Sequence, residues 1–177
     1  MRLRSPSIAI IASVFTLGIA GSASAATSGG TTATITVTGG FLSITVPTDA
    51  GNLGTIVNSV GGGMISGPLG QVQVSDARSP AAGSGWVTSV ISTAFTPPAG
   101  PAIAASFVSY SAGAIAKVGT ATYTANNPGD LTGVVAAVTA TGITGDNSAT
   151  WNPTISVLVA GSTAAGVYSA TITHSVV

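Results

Sequence analysis

Past its first 25 residues this 177-residue chain nowhere carries a capped apolar stripe at helical spacing; short runs alternate at period two and stop at turn formers. TATITVT (32–38) ends at Gly39-Gly40, FLSITVP (41–47) at Pro47, QVQVS (71–75) at Asp76, and WVTSVISTAF (86–95) before Pro97-Pro98. SFVSYS (106–111), AIAKV (114–118), TATYTA (120–125), GVVAAVTA (133–140), TISVLVA (154–160) and YSATITHSVV (168–177) extend the series. Many short strands with no helices between them predict an all-β fold, an antiparallel two-sheet β-sandwich (Greek-key or Ig-like). Two packed sheets are favoured over a closed barrel because the strands differ in length and several alternate imperfectly. VVAAVTA and ISVLVA are nearly continuous in apolar residues, as central strands covered on both sides would be. The glycine-rich VGGGMISGPLG (60–70) reads as a connecting loop, and Ala99 to Ala105 as the one place for a short turn, opened by Pro101.

The start of the chain is read as a secretory signal peptide, residues 1–25. MRLR is a basic head, Ile8 to Ala20 is an apolar run, and Ala23-Ser24-Ala25 is a small-x-small cleavage site. The apolar run is shorter than the ~20 residues of a membrane-spanning helix, so no membrane span is expected after cleavage. Residues 26–177 make a single domain of ordinary size, secreted and extracellular. With no cysteine in the chain, that domain must be held by packing and sheet hydrogen bonds alone. Beyond the leader the only cations are Arg78 and Lys117, set against Asp49, Asp76, Asp130 and Asp146. Such a surface recruits neither nucleic acid nor anionic lipid by charge. Disorder is equally disfavoured, because 45% of the residues are apolar and only 5% are charged.

Chemistry has little to work with. His174 is the sole histidine and therefore the sole imidazole base. Period two puts it on the more apolar face of the closing strand with Tyr168, Ala170, Ile172 and Val176, and no Gly-x-Ser-x-Gly elbow marks an activated serine. One histidine and no cysteine exclude the usual zinc and copper sites. The oxygen-rich spots at Asp130 and at Asp146-Asn147 read as turns rather than calcium loops. The four aspartates, with no glutamate, offer no paired-carboxylate motif for glycoside hydrolysis. The expectation is no catalytic residue, no metal, no cofactor and no enzyme, which leaves binding or structure as the role. Trp86, Trp151, Tyr110, Tyr123 and Tyr168 are the aromatics to weigh.

Two stretches, VQVSDARSPAAGSGWVTSVISTAF (72–95) and WNPTISVLVAGSTAAGVYSATITHSVV (151–177), resemble the WxL family of Gram-positive cell-surface domains. In that family an Asp-x-Arg turn precedes a strand beginning Trp-x-Leu, and a closing Gly-x-Tyr-x-x-x-Leu/Ile leads into a second Trp-x-Leu. Asp76 and Arg78 match the turn, Trp86 the first tryptophan, and Gly166, Tyr168 and Ile172 the closing strand; GGFLSITVP (39–47) fits the opening strand and proline. The departures are Thr88 in place of the first leucine and His174 with Val176 in place of the second Trp-x-Leu. An Ala/Gly/Thr-rich variant of this kind would suit an actinobacterial relative. The resemblance implies a secreted β-sandwich that associates non-covalently with the cell wall, through peptidoglycan, in company with other surface proteins. On that reading Trp86 is the recognition aromatic, Tyr168 and His174 line the same surface, and Asp76 and Arg78 form a structural turn pair. The rival expectation is a structural or adhesive surface subunit that assembles with partner proteins through strand edges.

Overall fold

The computed structural model describes residues 30–79 and 83–177, so the expected leader lies outside the described residues. All strands fall within one unit, Val37–Val177. They are β1 (Leu42–Thr45), β2 (Gly63–Pro68), β3 (Val72–Asp76), β4 (Ser84–Ser92), β5 (Val108–Ser111), β6 (Ala116–Ala125), β7 (Val135–Trp151), β8 (Thr154–Val159) and β9 (Ile172–Val176). The only helical piece among the described residues is a single 3₁₀ turn, Ala105–Phe107, which enters β5. It begins on Ala105, the last residue of the segment where a turn is expected after Pro101.

The strands form two antiparallel sheets. The larger runs β1-β3-β7-β4-β9, with β6 added to β7; the smaller runs β2-β8-β5. β7 organises the larger sheet. One of its edges takes β6 along most of its length, while the other takes β4 opposite Val135–Ile143 and then β3 opposite Asn147–Trp151. The change of partner falls at Gly142 and Gly145, both at positive φ (63° and 69°), a backbone geometry that a residue with a Cβ resists. At the far side of this sheet β1 lies against β9, which brings its two ends together.

The two sheets share one core. Val72 and Val74 of β3, Trp86 and Val90 of β4, Val138 and Ile143 of β7 face Val108 and Tyr110 of β5 and Ile155 and Val157 of β8 in a single cluster. Strand alternation produces it: in β4 Trp86, Thr88, Val90 and Ser92 are buried while Val87, Ser89 and Ile91 between them are half-buried, and in β3 Val72, Val74 and Asp76 are buried between exposed residues. β8 is central as expected, but its Thr154 and Leu158 are exposed, so only one of its faces is covered.

Three expectations are corrected. VGGGMISGPLG is not a loop, because Gly63–Pro68 pairs in full register with Thr154–Val159. Its glycines serve close approach rather than turning: a Cβ on Gly63 would collide with Ile56 and one on Gly67 with the Leu53 backbone, since that segment lies over β2. AIAKV and TATYTA are one strand, joined through Gly119 with irregular register on either side of Thr120. TATITVT (32–38) is not in a sheet; it alternates as a strand should, but it has no partner strand and every residue of it is exposed.

Candidate functional site

β3 ends on Asp76, which is 1% exposed and therefore needs compensation for a buried charge. Arg78 supplies it two residues on. Its Nε donates to Oδ1 at 2.8 Å and its Nη2 to Oδ2 at 2.9 Å, a fork-on-carboxylate pair, while the Arg78 backbone N–H donates to Oδ1 at 3.1 Å. The Arg78 hydrogen bonds hold the Asp76 carboxyl below its usual range against the opposing effect of desolvation. Arg78 Nη2 also donates to the Gly85 carbonyl at 3.4 Å, tying the turn to the residue before Trp86.

Trp86 is the main correction to the expected site. The indole is 2% exposed, because residue 86 falls on the inward parity of β4. Its Nε1–H donates to Asn147 Oδ1 at 3.0 Å, and the Tyr123 hydroxyl donates to the same oxygen at 3.2 Å. The two rings meet at 5.7 Å between centroids, tilted by 55°. No face of Trp86 is open for a sugar ring to stack on, so the recognition role expected of it is lost and a framework role takes its place. Burial, then the nearby Asp76 charge, push the Tyr123 phenol up.

Thr88 is fully buried at a register shift between β4 and β7. Its hydroxyl donates to the Val138 carbonyl at 3.1 Å and accepts from the Val138 N–H at 3.0 Å. A leucine there would take both of these bonds away from the buried backbone. The threonine hydroxyl answers a local irregularity of the sheet.

His174 belongs to a second cluster that spans the two sheets. It is half-buried on β9, opposite Val90 of β4. Trp151, at the end of β7, donates its Nε1–H to the Tyr110 hydroxyl of β5 at 2.7 Å, and that hydroxyl lies 3.3 Å from His174 Nε2. Burial lowers the imidazole pKa to about 4 and raises the phenol to about 12, so both are neutral at ordinary pH. Because indole can only donate and the phenol has one proton, the satisfied arrangement is Trp151 to Tyr110 to His174, with the ring proton on Nδ1. This histidine is a structural acceptor with no nucleophile beside it.

Tyr168 is half-buried, and its hydroxyl donates to the Ala164 carbonyl at 2.9 Å. The three residues expected to share one surface therefore do not form one: Trp86 is interior, His174 bonds across to the small sheet, and Tyr168 caps its own loop. Asp130 fixes its own turn by accepting from the N–H and hydroxyl of Thr132, whereas Asp146 and Asn147, expected in a turn, lie within β7, from which Asp146 Oδ1 accepts from the N–H and hydroxyl of Ser79. Among the described residues no three metal-capable side chains cluster.

The outer face of the small sheet is where open chemistry lies. Ser66 and Ser156 pair hydroxyl to hydroxyl at 2.7 Å, flanked by exposed Met64 (61%) and Leu158 (47%). Beside Leu158 a shallow groove of about 290 Å³ runs past Pro101, Ile103, Phe107 and Thr163. Phe107 is 51% exposed, an aromatic on the rim that the sequence reading overlooked. The signal was present: at period two Phe107 shares its face with Ser109 and Ser111, opposite Val108 and Tyr110. No family model matches the chain, and neither a curated protein nor a solved structure does so.

Proposed function

We propose that this chain is an exported, non-catalytic cell-surface domain, a Greek-key or Ig-like β-sandwich behind a signal peptide, that associates non-covalently with peptidoglycan of the cell wall. One observation carries the reading. The two stretches that resemble the WxL family, far apart in sequence, are hydrogen-bonded neighbours as β4 and β9, and the Asp76–Arg78 turn is tied by Arg78 to the root of β4. The residues of the resemblance form the framework of the domain. Contact with the wall then falls to the exposed aromatic and apolar residues beside the serine-lined outer sheet, Phe107 and Leu158, in place of Trp86. Catalysis is left out of the proposal because the one imidazole is half-buried, neutral and committed to Tyr110.

The test is co-sedimentation of residues 26–177 with isolated sacculi. Wild type pellets, Phe107→Ala pellets poorly with an unchanged circular dichroism spectrum, and a wild type that stays in the supernatant overturns the proposal. A second reading, assembly through strand edges, is favoured by β6, a ten-residue strand that pairs with β7 alone.

A further inference from the structure

Two features are each incomplete. Residues 32–38, TATITVT, alternate polar and apolar with no charge, lie outside both sheets and leave Ile35 90% and Val37 78% exposed. Phe41, on the same parity, is 85% exposed, which makes an apolar line along one side of an unpaired strand. β6 is the complementary feature, a long strand bonded on one edge only. The other outer strands are occupied: Leu53–Ile56 lie over β2, the Pro128 carbonyl accepts from the Tyr110 N–H on the open side of β5, and β1 and β9 lie against each other.

We propose that residues 32–38 of one copy of this chain add as a strand to the free edge of β6 in a second copy, joining copies head to tail. The inference rests on the edge-assembly reading above and names its donor, its acceptor and its partner. Strand addition draws its energy from main-chain hydrogen bonds and its selectivity from side-chain alternation. The alternation matches: Thr120, Thr122 and Thr124 of β6 are exposed while Ala121, Tyr123 and Ala125 are half-buried, and the donor offers threonines on one face and Ala33, Ile35 and Val37 on the other. Beside Tyr123 an isoleucine makes the aromatic–β-branched pair that stabilises sheets. Lys117 and the irregular register around Thr120 guard the first half of β6, a common defence of edges, so the receptive half is Thr120–Ala125.

The donor cannot serve its own β6. Gly40 donates to the Ala77 carbonyl and Ala77 to that of Phe41, so the chain is anchored beside β3 and only Gly39 separates it from Thr38. In the order β1-β3-β7-β6 a strand outside β6 lies four spacings from β1, roughly 19 Å, whereas the two steps from Gly40 to Thr38 span roughly 7 Å. Thr38 therefore cannot reach the outer edge of β6 in its own chain, so pairing is between copies. Such a contact is heterologous and propagates.

Sedimentation velocity of residues 26–177 over a hundredfold concentration range tests it. Wild type is expected to form species heavier than a monomer that grow with concentration, and Ile35→Asp/Val37→Asp to stay monomeric. Both substitutions are at exposed positions, so an unchanged thermal melt confirms that the fold is kept. The chain has no cysteine, so mixing Thr36→Cys with Thr122→Cys under mild oxidation should yield a mixed disulfide dimer in excess of either homodimer. A wild type that is monomeric throughout and forms no mixed dimer overturns the inference; if it still pellets with sacculi, the wall reading stands without it. Association that persists undiminished in Ile35→Asp/Val37→Asp overturns this donor while edge assembly by another strand survives.

Discussion

Lowering the pH tests the His174 cluster directly. In the folded chain the imidazole titrates near 4 because burial disfavours its charged form, against 6.5 when free. Above pH 6.5 folded and unfolded chains are both neutral here and the group has no effect on stability. As pH falls from 6.5 towards 4 the unfolded chain takes up a proton that the folded chain refuses, so stability drops through that window and levels off below it. A shift of this size corresponds to about 3 kcal/mol at full burial. The ring keeps some contact with solvent, which brings the expected loss to about 2 kcal/mol. Protonation also turns Nε2 into a donor, so the Tyr110 oxygen would face two N–H groups and its own proton would lose its acceptor. The assay is urea unfolding at pH 7, 6, 5 and 4.5 for wild type and His174→Gln. Asp76, held below its ordinary 3.8 by Arg78, does not titrate in this range. Wild type should lose stability progressively while the glutamine variant stays nearly flat. Equal slopes in the two proteins, or an imidazole found by NMR to titrate near 6.5 in the folded state, would refute the reasoning.

Other outcomes are as direct. Thr88→Val, nearly isosteric, should cost about 2–4 kcal/mol in chemical unfolding, since it removes both bonds between the hydroxyl and the Val138 N–H and carbonyl in the core. Trp86→Ala should cost about 3–5 kcal/mol and Phe107→Ala less than about 1 kcal/mol, so an unfolding titration of the pair reads interior against surface; near-equal costs would contradict the burial described. Arg78→Lys should lose about 1–2 kcal/mol, because an ammonium cannot make the two parallel bonds to Asp76, and the loss should survive 0.5 M salt as a surface pair would not.

How far the sequence was legible follows from which signals are local. Period-two alternation located β3, β4, β5, β8 and β9 to within a few residues, because one face of each meets the core. β2 was missed because glycines that permit Leu53 and Ile56 to lie close look, in sequence, like glycines that turn a chain. TATITVT was overread for the opposite reason: alternation records what a strand could pair with, and residues 32–38 join neither sheet. The turn pair of Asp76 and Arg78 could be read because its residues are two apart, whereas Asn147, which holds Trp86 and Tyr123, is 61 residues from the tryptophan and had no local mark. Trp86 showed the same limit, since a tryptophan in a strand looks alike whether its face points in or out. The parity of Thr88, Val90 and Ser92 decides it only once the core side is known.

The place of β7 and β8 late in the chain has a kinetic consequence. Apart from β1 with β3, every pairing in both sheets needs β7, β8 or β9, so no sheet can close until residues beyond 135 are present. Strands from the first half must wait across wide sequence gaps, which slows folding and keeps the incomplete chain loose. For a polypeptide that is threaded through a membrane before it folds, as the export proposed above requires, that delay is an asset. The chain stays threadable until its last quarter arrives, and then collapses around a single long strand.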